Sequence, residues 1–223
     1  MANNFKNAII RDVSNDEQLP HAIYITPDSK KSIAIELDVA NNSSAGVNCC
    51  VLIEDEDSAG TTAFTINNSG TFSILTANGH GLATNDIVRF NETGGTAPSG
   101  LVGGAGPTIT SNKQGMHNTT SQGVGKMYYV TKIDNNTFKI GNTRDATTFI
   151  KATNAGTSPI FRKLSLVSVV RNAPIPVGGT LKVISGQKLV LESAAASSND
   201  KLYAYCTSAN EVDAIASVLE DVS

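Results

Sequence analysis

The side chains able to carry chemistry are few and scattered. Histidine occurs only at His21, His80 and His117, and cysteine only at Cys49, Cys50 and Cys206. The histidines share no metal-ligand spacing with any cysteine, and no His-Glu-x-x-His run occurs. An odd number of cysteines at these spacings supplies no disulfide framework, so the expectation is reduced, structural thiols. Neighbours on a strand point to opposite faces, so Cys49 and Cys50 cannot both enter one core. The one acidic cluster is Glu54-Asp55-Glu56-Asp57. Its Asp55-x-Asp57 start and Gly60 match part of a calcium loop, but Ala59 and Ile66 stand where an EF-hand needs ligands. A solvated strand end is expected, with a weak cation site at Asp55 and Asp57 as the alternative.

Phosphate and nucleophile motifs are missing as well. Gly125-Lys126 is followed by Met127, and Thr120 stands where a P-loop begins with glycine. Gly104-x-Gly106 and Gly123-x-Gly125 lack the third glycine of a dinucleotide fingerprint, and there is no Gly-x-Ser-x-Gly elbow. No pair of carboxylates stands out for glycoside hydrolysis. The expectation is a protein that is not an enzyme and needs neither cofactor nor metal.

Composition narrows the partners. The 223 residues are 40% hydrophobic and only 17% charged, with 64 Asn, Ser and Thr. That apolar share can build a core, and no run of 18 apolar residues could span a membrane. No secretory signal is visible in residues 1–15. The net charge of −3 comes without a basic stripe, so nucleic acid is not the expected partner. Phe64, Phe72, Phe90, Phe138 and Phe149 lie among basic residues, but one Phe per strand is what a core requires.

Glycine and charge divide the chain at the same borders. Fifteen of the 19 glycines fall between Gly60 and Gly156. Residues 64–160 carry a net +3, which leaves −6 for the flanks. This predicts an insertion, with residues 1–62 and 161–223 forming one discontinuous domain around residues 63–160.

The flanks read as strands. Apolar residues alternate over 32–39, placing Ile33, Ile35, Leu37 and Val39 on one face. Residues 47–53 are nearly continuous apolar strand, and 164–170 are β-branched. Pro174 and Pro176 imply an edge or a loop. Residues 180–184 and 188–191 read as a hairpin about Ser185-Gly186-Gln187, and 212–219 as a strand. Neither flank closes a core alone, so the predicted fold is all-β: a discontinuous β-sandwich, jelly-roll or Ig-like. The insert reads as short strands at 72–75, 87–90, 127–133 and 137–140, with Asp134-Asn135-Asn136 as a hairpin turn. Residues 94–125 form a long, Gly-rich loop between them.

The insert also resembles a known module. Thr76-Ala77-Asn78-Gly79-His80-Gly81-Leu82, continuing through Asp86-Ile87-Val88-Arg89-Phe90, Pro98-x-Gly100-Leu101, Tyr128-Tyr129-Val130 and Asn136-Thr137-Phe138-Lys139-Ile140, is similar to a module repeated in phage tail and fibre proteins. It is of the type named after the first catalytic-cysteine half-domain (FCCH) of ubiquitin-activating enzymes. The likeness implies a small β-barrel-like shape. The insert contains no cysteine, so no thioester chemistry carries over. Residues 102–126 lengthen a link that is usually short. The motif residues Gly79, His80, Gly81, Leu82, Asp86, Tyr128, Tyr129 and Phe138 are expected to be structural: glycines for a tight turn, Leu82 as its pin, and Asp86 accepting turn N–H groups.

The flanks resemble, more loosely, a small family of phage virion proteins. Tyr24-Ile25-Thr26-Pro27 and Asn172-Ala173-Pro174-Ile175-Pro176-Val177-Gly178-Gly179 carry that likeness. What it implies is a non-enzymatic virion component (head, neck or tail decoration, or fibre) located in the particle. Its partners would be other virion proteins and further copies of itself. The alternative is a fibre module binding a host-surface receptor or glycan.

Overall fold

A computed structural model describes residues 4–55, 60–90, 98–99, 101, 126–193, 199–208 and 211–221. Its regular elements are all strands: β1 (Asn4–Ile10), β2 (His21–Ile25), β3 (Lys31–Asn41), β4 (Val47–Asp55), β5 (Thr61–Ala63), β6 (Thr65–Asn67) and β7 (Ile74–Thr76), then β8 (Ile87–Phe90), β9 (Met127–Lys132), β10 (Thr137–Gly141), β11 (Ile160–Ile175), β12 (Thr180–Glu192), β13 (Lys201–Cys206) and β14 (Val212–Glu220). They fall into two compact units. The first holds β1–β4, β12–β14 and β11 from Leu166 onward; the second holds β5–β10 and β11 up to Ser165.

The first unit is a β-sandwich. One sheet has the order β1-β14-β3-β12, and the other runs β2-β13-β4-β11. Between them lie Leu37 and Val39 of β3, Ala214, Ala216 and Val218 of β14, Val51 of β4, and Leu202 and Ala204 of β13, all fully buried. The strict alternation of β14, with Val212, Ala214, Ala216 and Val218 inward, makes the last segment a strand. Pro174 is tolerated because β11 beyond Leu166 stands at the end of its sheet within this unit.

Three expectations for this unit need correction. First, β3 changes phase. Glu36 pairs with Ser217 but Ala34 pairs with Val218, so Ile35 is extra. This bulge buries Ala34 with Leu37 and Val39 and leaves Ile33 and Ile35 half-exposed.

Second, β12 is one strand and not a hairpin. Ser185 pairs with Glu36 and Leu189 with Ala34, both on β3, so Gly186-Gln187-Lys188 is pushed out of the ladder as a bulge. Gly186, at φ +74°, takes the left-handed conformation that allows this.

Third, Cys49 and Cys206 are joined in a disulfide rather than reduced. Their strands place them directly opposite each other, 157 residues apart in sequence. Cys50 faces the other way and stays free. Its thiol donates to Asn172 Oδ1 at 3.4 Å and its sulfur accepts the Asn172 N–H.

Two buried carboxylates of the sandwich, Glu54 and Glu220, are paired with lysines. Glu54 accepts a bond from the Tyr203 hydroxyl at 2.9 Å and has the Lys201 ammonium 3.8 Å away. Glu220 accepts from the Tyr24 hydroxyl at 2.9 Å and pairs with Lys6 at 2.6 Å. Since Tyr24 donates to Glu220, the Ser32 hydroxyl donates to Tyr24. Burial first, and then Glu220, raise the Tyr24 phenol above its ordinary pKa.

In the second unit the order is β11-β8-β9-β10-β7-β6. β5 pairs with β11 while β6 pairs with β7, and only Phe64 separates β5 from β6, so the pairing closes on itself. The strands are short, and aromatic rings fill the interior. Phe64, Phe90, Tyr128, Phe138 and Phe161 pack with Leu75, Val88, Val130 and Ile140.

Candidate functional site: the glycine turn of the second unit

Of the motif residues, Gly79, His80, Gly81, Leu82 and Phe138 meet around the turn at 79–82, with Asp86 beside it. Gly79 and Gly81 have φ +62° and +66°, where only glycine is unstrained. Between them, His80 is half-exposed but fixed. Its Nδ1 accepts the Leu82 N–H at 2.9 Å. A ring nitrogen that accepts a backbone N–H carries no proton, so the proton sits on Nε2. Nε2 therefore donates to the Asp134 carbonyl at 3.2 Å. The ring also meets the edge of Phe138, 5.2 Å between centroids. Leu82 is buried in the aromatic core.

The hairpin between β9 and β10 holds the other side. The Asn136 side chain accepts the Gly79 N–H at 3.0 Å, and its carbonyl accepts the Ala77 N–H at 2.8 Å. Asp134 accepts the N–H groups of Asn136 and Thr137, each at 2.7 Å. The bond from Asn136 is the main reason the Asp134 carboxyl titrates below the usual range, with Thr137 adding to the effect. Thus His80, Asp134 and Asn136 staple a turn to a hairpin more than 50 residues away.

Asp86 does as its position suggests. Its Oδ2 accepts the Ala83 N–H at 2.8 Å and pairs with Lys163 at 2.8 Å. Next to it, Asn85 at φ +74° exchanges two bonds with Asp145. Tyr128 is buried, and its hydroxyl donates to the Leu101 carbonyl at 2.9 Å, tying the Pro98–Leu101 element to β9. Ser99 of that element bonds Thr153 and Asn154. Tyr129 is buried on β9 opposite Ile87 and Gly141.

Chemically, the arrangement engages both nitrogens of His80 and the Asp86 carboxylate in holding backbone and a lysine. Asp55 lies exposed at the end of β4, whereas Asp57, His117 and most of the loop 94–125 lie outside the described residues. Among the described residues, no group of three or more His, Cys, Asp or Glu could hold a metal ion.

Sequence reasoning missed the partners Asp134, Asn136 and Asp145. The Asp-Asn-Asn-Thr turn signal was present, but nothing in it says what the turn touches. It also missed Arg89 and Arg162, buried and facing each other on β8 and β11. No family model, curated protein or solved structure matches the chain.

Proposed function

We propose that the chain is a non-enzymatic structural protein of a bacteriophage particle, a head, neck or tail decoration or fibre component acting through protein–protein assembly. One observation carries this reading. The polar residues of the phage-type motif are engaged in holding a turn against a hairpin, as a structural module requires. A β-sandwich with paired buried charges and a core disulfide suits a part that must keep its shape in an assembly. Its partners would be other virion proteins and symmetric copies of itself, and its location the virion.

Quantitative mass spectrometry of gradient-purified particles tests this. The chain is expected in a copy number that is a multiple of the particle's local symmetry. Its absence from particles, with the protein abundant in the producing cells, would overturn the proposal. Binding of the free protein to host-surface glycan with that same absence would favour the receptor-binding alternative.

A further inference from the structure

We infer that β1 is a self-pairing edge, joining two copies of the chain by antiparallel β1–β1 addition about a two-fold axis through Asn7. Among the described residues β1 pairs with β14 alone, so no described strand covers its outer edge. An open edge is normally blunted by charge, proline or a bulge. Here the outward side chains of β1 are Phe5, Asn7 and Ile9, with Phe5 60% and Ile9 40% exposed, and its pairing with β14 runs without a register shift.

The occupant follows from register. Residues directly opposite in an antiparallel pair lie on the same sheet face, so outward residues must meet outward residues. That parity leaves a small set of two-fold registers. One centred on Lys6 places each exposed Phe5 opposite a polar Asn7. One centred on Ala8 places Asn7 opposite Ile9. The register centred on Asn7 puts Phe5 opposite the partner's Ile9 on both sides of the axis, Lys6 opposite Ala8, and Asn7 opposite its own copy.

This register covers two exposed apolar residues per copy. The Lys6 charge is already met by Glu220 at 2.6 Å within its own chain. It also extends an apolar row. Phe5 lies beside Leu219, Leu219 beside Ile33, and Ile33 beside the 52%-exposed Val190, while Ile9 lies beside the 45%-exposed Ile215. Across the axis the two rows become continuous. The interface is isologous, as closed homodimers require. The inference does not depend on where the protein works.

Sedimentation and cross-linking test it. The wild-type chain should show a concentration-dependent monomer–dimer equilibrium. Asn7→Cys should form a disulfide-linked dimer under mild oxidation, because opposite residues stand about 4.5 to 5.5 Å apart between Cα atoms. Phe5→Cys, opposite Ile9, should not. The doubles F5E/I9E and F5K/I9K should each self-associate about tenfold more weakly, and an equimolar mixture of the two should dimerise again. All three positions changed, Phe5, Asn7 and Ile9, are exposed, and an unchanged melting temperature confirms folding. A wild-type chain that stays monomeric at the highest attainable concentration would overturn the inference. So would equal cross-linking of Asn7→Cys and Phe5→Cys, or charge variants that fail to rescue each other.

Discussion

The two units solve one problem in opposite ways. The sandwich has long strands, among them the 11 residues of β3 and the 9 of β14, and buries many small or aliphatic side chains. Among the described residues Tyr24 is the only aromatic residue in its main core, and a disulfide between β4 and β13 adds a covalent tie. The second unit has strands of three to six residues before β11. It fills its interior with five aromatic rings and staples its loops with Asp, Asn and His side chains. Long ladders satisfy their own backbone; short ones leave turns whose N–H groups need side-chain acceptors. The Asp, Asn and His side chains at the described turns of the second unit therefore serve turn geometry.

Breaking the aromatic core should have the largest effect. Phe138 is fully buried, with Phe161 5.3 Å and His80 5.2 Å from its ring. Phe138→Ala should cost about 3–5 kcal/mol, read by denaturant unfolding with signals assigned to the second unit. Equal loss in both units would show that the cores are not separately held.

Removing the sandwich tie comes next. The C49A/C206A double variant should lose about 2–4 kcal/mol in the first unit. Thiol titration of the denatured wild type should give one reactive group, Cys50, before reduction, and all three cysteines after it. Three thiols without reductant would refute the pairing.

A smaller effect sharpens the stapling side. Asp86→Ala removes the acceptor of the Ala83 N–H and should cost about 1–2 kcal/mol. Lys163 is half-exposed, so the lost ion pair adds little. Melting of the second unit by near-ultraviolet signals measures it.

The smallest effect is a pH dependence in the first unit. The Ser14 N–H donates to His21 Nδ1, and burial lowers the imidazole below its usual value of 6.5, against the opposing pull of Asp12. The unfolded chain then takes up the proton first, so stability rises with pH. The contribution is complete above about pH 6.5 and is lost as pH falls through the lowered value. His21→Gln should flatten that part of the stability-against-pH curve; an unchanged curve would remove His21 as its source.

Local pattern carried much of this fold. β8 lies where alternation and turn signals placed it, and β9 and β10 end within a residue of expectation, because each is bounded by its own turn chemistry. β14 was legible through its small-residue alternation. What failed depended on partners. Gly186 looks like a turn, yet β3 is long enough to receive both halves of β12, so the chain bulges instead of reversing. The disulfide hangs on the register of β4 against β13, which cysteine spacing does not contain. At the site, the glycines announced the turn and Asp86 its local bond. The acceptor for His80 lies 54 residues away in a hairpin that tertiary packing alone brings near. The edge strand β1 was missed, since residues 4–10 lack a clean period of two.

The stapling of the glycine turn is the claim most open to a direct test. Residue-resolved amide exchange in the wild type and in His80→Ala would read it. Leu82, whose N–H is held by His80, should exchange slowly in the wild type and much faster in the variant, while Val218 and Leu202 in the sandwich stay unchanged. Equal Leu82 protection in both proteins would contradict the role assigned to His80.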